Sequence, residues 1–208
     1  MTSLQARLSC VLEVERKFRG LAMRELSRHG GTPGFRSLRA LPVQVIHDTY
    51  YDRSSVLSSA GAWVRKRNGA WEAKVRMGGN FTNSKFEEID DVQEISKVIR
   101  CIAGIEGDAA DNFGLAVTAD FSTTRKTWVA DDEFHIALDT MDFDHQVGEV
   151  ELQQVLYGDN GEVPNEQKKL AMMQNMDDRI AAFMKRYSWA FSPGEPTGKL
   201  TAYFERAQ

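Results

Sequence analysis

Two short runs of this chain, Glu13-Val14-Glu15-Arg16-Lys17 and Glu149-Val150-Glu151, alternate charged and apolar side chains with a period of two. Successive side chains of an extended strand point to opposite faces, so each run sets two carboxylates about 7 Å apart on one face. Trp63, Arg65 and Arg67 share a face in the same way, and Glu72, Lys74 and Arg76 lie opposite Trp71, Ala73, Val75 and Met77. Arg125 and Asp139 add single charges on two further extended segments. A solvated face explains any one such strand, because antiparallel sheets commonly face water on one side. It serves the whole set less well. Like charges at that spacing repel unless something positive lies between them, and arginine forks suit phosphate oxygens.

The rest of the chain supplies a frame for these faces. Alternation and β-branched or aromatic content predict strands over 11–18, 44–51, 63–67, 71–77, 85–90, 116–128, 134–142 and 146–157. Asn68-Gly69 is the strongest short hairpin signal between two of them. Helical spacing predicts helices over 21–29, stopped by Gly30-Gly31, and over 92–102. Further helices are expected over 166–187, with Pro164 in a first-turn position, and over 198–206. About eight strands in mostly antiparallel neighbours, with helices between and after them, predict an α+β fold built on a barrel or strongly curved sheet.

The chain has 208 residues, enough for one domain, taken as 1–208 with C-terminal helices over 165–206. A net charge of −4 does not favour a coat for DNA or RNA, so no nucleic-acid partner is expected. Cys10 and Cys101 lack metal-ligand spacing and read as reduced thiols. No apolar run reaches the length of a bilayer span, and the start lacks the apolar core of a signal peptide. A cytoplasmic monomer without membrane contact is the expectation. The four histidines show no metal spacing, and Met172, Met173, Met176 and Met184 are expected in the core.

If the sheet closes with its apolar faces outward under helices, the charged faces meet in the lumen. Glu13, Glu15, Glu88, Asp139, Glu149 and Glu151 then form an acidic set, and Lys17, Arg65, Arg67, Lys74, Arg76 and Arg125 a basic one. Unpaired interior charge costs several kcal/mol per ion, on the order that makes a partner obligatory. A polyphosphate would satisfy the basic set and a hard divalent cation such as Mg²⁺ the carboxylates. Salt bridges across the lumen would serve as well, and periodicity does not choose between them.

The same residues resemble a known family. Glu13-Val14-Glu15-Arg16-Lys17 is similar to the ExExK signature of the CYTH superfamily, the triphosphate tunnel metalloenzymes. Asp48-Thr49-Tyr50-Tyr51-Asp52, Trp63-Val64-Arg65-Lys66-Arg67, Trp71-Glu72-Ala73-Lys74, Thr124-Arg125-Lys126-Thr127-Trp128, Leu138-Asp139-Thr140, Val147-Gly148-Glu149-Val150-Glu151 and Lys199-Leu200 resemble, in order, its thiamine triphosphatase branch. The resemblance implies a closed eight-stranded antiparallel β-barrel with flanking helices that hydrolyses thiamine triphosphate to the diphosphate and phosphate with Mg²⁺. It implies that Arg65, Arg67, Lys74, Arg125 and Lys199, with Lys17 nearby, hold the triphosphate. Glu13, Glu15, Asp139, Glu149 and Glu151 would bind metal, Glu88 and Arg76 would support them, and Trp63 would stack on thiamine.

Tyr50 and Lys74 resemble the family's dyad, in which a deprotonated lysine helps activate water. Arg65, Arg67 and Arg76 are expected to lower the Lys74 pKa. One departure stands out. Where the family carries an aspartate two residues before Asp139, this chain has Ala137, which leaves the number of metal sites open. Inorganic triphosphate is the alternative substrate, an adenylyl cyclase of the same superfamily a more distant one, and a non-catalytic polyphosphate-binding module the reading from another class.

Overall fold

The computed structural model describes residues 9–157 and 165–206, so the place assigned to Pro164 lies outside the described residues. The described residues form nine strands: β1 (Ser9–Phe18), β2 (Leu38–Ala40), β3 (Gln44–Asp52), β4 (Ala62–Arg67), β5 (Ala70–Gly79), β6 (Asn83–Ile89), β7 (Ala116–Ala130), β8 (Phe134–Met141) and β9 (Gln146–Tyr157). Among the described residues four α-helices accompany them: α1 (Val56–Ser59), α2 (Val92–Ala103), α3 (Glu166–Arg186) and α4 (Lys199–Glu205).

The sheet order is β2-β7-β3-β4-β5-β6-β1-β9-β8, and β8 pairs again with β7, so eight strands close on themselves. Every one of these pairings is antiparallel. The short β2 extends the β3 side of β7, pairing Leu38 with Ala130 beyond the point where β3 leaves that strand. Two tight turns carry positive φ at both central residues, Asn68-Gly69 between β4 and β5 and Asp131-Asp132 between β7 and β8. That geometry matches the right-handed twist of the strands they join.

The apolar faces do point outward under helices. On one side Leu12, Val14, Ile136, Leu138, Val150 and Leu152 pack beneath α3, which contributes Met173, Met176, Ile180 and Phe183. On another, Val64, Trp71 and Ala73 pack beneath α2 through Ile95 and Ile99. A third apolar cluster is different: Tyr50, Ala119, Phe121, Met141 and Val147 share the strand faces of Asp48, Arg125, Asp139 and Glu149, so they lie on the inner side of the barrel, where they meet Leu200 and Tyr203 of α4. Met173 and Met176 are core residues as expected, with Met172 and Met184 packed against them.

The helix expected over 21–29 does not form. Leu21 instead makes a β-bridge to Phe191, the Ala22 amide donates to the Ala190 carbonyl at 3.0 Å, and the Ser192 hydroxyl donates to the Leu21 carbonyl at 2.8 Å. Long-range partners thus take backbone groups of Leu21 and Ala22 at the start of the segment, the Arg28 carbonyl accepts from the Phe35 amide, and Leu26 is buried against the α3 cluster.

Ile180 is fully buried between α3 and the barrel. Ile180→Ala should lower the unfolding free energy by about 2–5 kcal/mol in urea denaturation at unchanged slope. A loss under about 1 kcal/mol would mean that α3 does not seal this face.

Candidate active site

The lumen holds a cavity of about 540 Å³. Its wall includes Glu13, Glu15 and Lys17 of β1, Trp63, Arg65 and Arg67 of β4, and Lys74 and Arg76 of β5. Tyr50, Glu88, Arg125, Glu149, Glu151 and Lys199 complete the expected set around it. Asp139 does not line the cavity itself but is buried beside it, bonded to Arg125 and Lys199. The structure thus brings all the residues expected from sequence to one place.

Strand register explains how. Arg67 faces Asp48, Arg65 faces Glu72, Lys74 faces Glu88, Lys17 faces Glu149 and Arg125 faces Asp139, each directly across a strand pair. Arg67 grips Asp48 with two hydrogen bonds of 2.8 Å, and Arg125 grips Asp139 with bonds of 2.8 and 2.7 Å. Arg65 donates to Glu72 at 2.9 and 2.8 Å and to the Tyr50 hydroxyl at 3.2 Å. Lys74 lies 2.5 Å from Glu13 and 3.0 Å from Glu88, while Lys17 bonds Glu15 and lies 3.8 Å from Glu149. Lys199, at the start of α4, pairs with Asp139 from outside the strands.

These contacts correct one expectation. Burial alone would lower the Lys74 pKa, but Glu13, Glu88 and Glu15 outweigh both burial and the neighbouring Arg65 and drive it well above the usual lysine range. Lys74 is therefore charged, and its ammonium bonds Glu13 while the Tyr50 hydroxyl takes its hydrogen bond from Arg65. The carboxylates divide. Burial would raise Glu13, but the Lys74 ammonium holds it far below the usual range. Asp139 and Glu149 are likewise buried and likewise lowered, with Lys199 as the leading counter-charge for both. Glu15, buried and facing the Glu149 charge, is pushed up to about 8, and burial with the Glu13 charge lifts Glu88 to about 7.

Glu13, Glu15, Glu149 and Glu151 project from the adjoining strands β1 and β9, with Glu15 directly across from Glu151. Their oxygens are hard donors of the kind Mg²⁺ takes, and Glu15, raised by burial and then by the Glu149 charge despite its bond to Lys17, would gain from the charge such an ion brings. In chemistry the donor set fits a divalent cation. Among the described residues no three carboxylate, imidazole or thiol groups already stand gathered as a metal site; lysines and arginines hold the carboxylates instead. Ala137 of β8 is buried and lies directly across from Glu149 of β9, so no carboxylate adds to the acidic wall there.

Trp63 stands across from Lys74, with the Arg76 guanidinium 5.0 Å from its ring centroid and Phe86 edge-on at 5.7 Å. Asp48 and Glu72 belong to the site but were not among its expected members. Asp48 shares a strand face with Tyr50, and Glu72 with Lys74, so the same two-residue parity could have found both. Phe81, on the turn between β5 and β6, also lines the cavity, and no periodicity marks it.

The CYTH domain family matches residues 12–171 of the chain. A thiamine-triphosphatase of Homo sapiens is 33% identical over 187 residues, covering 80% of this chain and 77% of the human protein. Among solved structures, the PH1819 protein of Pyrococcus horikoshii OT3 is similar with a TM-score of 0.55 and 15% identity, over 93% of this chain and 99% of that one. At that identity the likeness concerns the fold.

The raised carboxyls give the metal-free chain a pH signature. Between the ordinary carboxylate pKa and about 8, folded Glu15 keeps a proton that the unfolded chain has lost, so its contribution to stability falls as pH rises and levels off above that window. Glu88 acts in the same direction up to about 7. Thermal melts in chelator should decline from about pH 5 to about pH 8, and Glu15→Gln should flatten the decline. A profile that the substitution leaves untouched would contradict this placement of Glu15.

Proposed function

The chain belongs to the CYTH domain family, and on that premise we propose that it hydrolyses thiamine triphosphate to thiamine diphosphate and phosphate with the help of Mg²⁺. One observation carries the reading: a single cavity gathers cations for a polyphosphate, carboxylates for a metal, and a tryptophan ring at the Lys74 position of the wall. The human relative bears the name of this activity.

In this reading Arg65, Arg67, Arg125, Lys74 and Lys199 receive the triphosphate oxygens, with Lys17 beside them. Arginine forks meet pairs of phosphate oxygens and the lysines act as point charges. Tyr50 holds the Arg65 guanidinium in the lumen, and Arg76 and Glu88 flank Trp63 and Lys74. Trp63 offers the flat surface for the thiamine rings. Glu13, Glu15, Asp139, Glu149 and Glu151 would hold Mg²⁺, which supplies charge neutralisation for the phosphoryl oxygens and a template for water. As water attacks the terminal phosphorus, the bond to the diphosphate oxygen breaks, and thiamine diphosphate departs with the charge that the arginines neutralise.

Lys74 acts here in its charged form, as a stabiliser of the transferred phosphoryl group rather than as a base. A cytoplasmic setting belongs to the same proposal and is supported by two free cysteines, Cys10 buried and Cys101 exposed.

Phosphate release should be measured with Mg²⁺ on thiamine triphosphate, inorganic triphosphate and ATP. The thiamine compound should give the highest kcat/KM; an equal or higher value on inorganic triphosphate would make that the substrate, and no release from any would leave a binding module. Trp63→Ala should raise KM for thiamine triphosphate by about tenfold, as loss of a stacked ring does, and spare inorganic triphosphate. Lys74→Ala should lower kcat by about a hundredfold or more, the scale of losing one charge-stabilising donor. A rate that climbs with the deprotonation of a single lysine would restore the base mechanism instead.

A further inference from the structure

The β5–β6 turn meets the start of α4 beside the cavity, and both carry residues that line it: Phe81 on the turn, Gly198 as the cap of the helix and Lys199 as its first residue. Gly198 caps α4 with φ −72° and ψ 158°, an extended conformation open to any residue, so no backbone demand calls for glycine. Space does. A methyl group on Gly198 would lie 3.1 Å from Cζ and 3.3 Å from Cε2 of Phe81, closer than ordinary carbon contact.

The turn that presents Phe81 is tied down on each side. The Asn80 side chain accepts from the Thr82 and Asn83 amides at 2.9 Å, Asn80 donates to the Asn83 carbonyl at 2.6 Å, and the Ser84 hydroxyl donates to the Asn80 carbonyl at 2.9 Å. The Lys17 amide donates to the Thr82 carbonyl at 2.9 Å, which joins the turn to β1. On the other element, His145 Nε2 lies 2.8 Å from the Thr197 carbonyl, one residue before Gly198. The chain leading into α4 is held between these two supports, and the next side chain along is Lys199 on Asp139.

We infer that Phe81 and Gly198 form a steric latch that positions Lys199 in the cavity. Phe81 is 45% exposed, so core packing does not explain a phenylalanine there. Its ring is instead the stop against which the helix start rests, and glycine lets the helix start approach that ring. Both are positioning residues; Lys199 makes the contact. The inference rests on the reading that Lys199 holds triphosphate.

The test is a set of variants, Phe81→Ala, Gly198→Ala, the two combined, and each in a Lys199→Ala background. Tripolyphosphate affinity with Mg²⁺ is read by calorimetry, and thiamine triphosphate kinetics are read beside it. Phe81→Ala and Gly198→Ala should each weaken tripolyphosphate binding and raise KM by about threefold to tenfold, with kcat and the melting temperature little changed. In the Lys199→Ala background both effects should vanish, because the group they position is gone. Wild-type affinity in both single variants would overturn the latch, as would losses that persist undiminished without Lys199. If the wild-type chain binds tripolyphosphate but hydrolyses nothing, the hydrolase reading fails while the latch is still decided by the affinities.

Discussion

Cross-strand pairing of opposite charges inside a closed barrel is the constraint on which the rest of this structure depends. Arg67 with Asp48, Arg65 with Glu72, Lys74 with Glu88, Lys17 with Glu149 and Arg125 with Asp139 all stand in direct register. Slipping any of these strands by one residue would turn its charges outward and its aliphatic side chains into the lumen. Helices α2 and α3 fix the opposite choice by covering the aliphatic faces from outside. Register, closure and helix packing therefore specify the same arrangement, and each would be costly to change alone.

A lumen so arranged is neutralised from within, and that shapes what can bind. Four of the cations that a triphosphate would need now sit on carboxylates that a metal would need, Lys74 on Glu13, Lys17 on Glu15, and Arg125 and Lys199 on Asp139, while Arg65 and Arg67 sit on Glu72 and Asp48. An anion arriving alone would strip counter-charge from buried carboxylates, and a cation arriving alone would do the same to buried lysines and arginines. Removing one partner of a buried pair leaves the other uncompensated, which is the expensive outcome. A polyphosphate and a divalent ion arriving together would relieve both sides.

Much of this was legible in the sequence, through one regularity. Alternation at Glu13-Val14-Glu15, Arg65-Lys66-Arg67 and Glu149-Val150-Glu151 gave the lumenal faces correctly, and the same parity reaches Asp48 and Glu72. Register was not legible, because nothing within a strand says which residue it will meet. That is why Lys74 was expected beside arginines and found among carboxylates: Arg76 is near it in sequence, but Glu13 and Glu88 reach it only once β1, β5 and β6 are assembled. The segment 21–29 misled for a related reason. The backbone bonds of its first two residues, Leu21 and Ala22, go to residues 190–192, far along the chain, and a local pattern cannot announce them. At three residues, β2 is too short to show a period, and Phe81 lies in a turn where no period exists.

The most direct measurement is the reciprocal dependence of metal and polyphosphate binding. Tripolyphosphate is titrated into the chain with and without Mg²⁺, Mg²⁺ is titrated alone, and metal–polyphosphate association in free solution is subtracted. Paired lumenal charges predict weak binding of either alone and a gain of about tenfold or more when both are present, equal in the two directions as linkage requires. Affinities that are independent once that correction is made would contradict the account, because they would mean that the lysines and arginines of the wall are not held by the carboxylates opposite them.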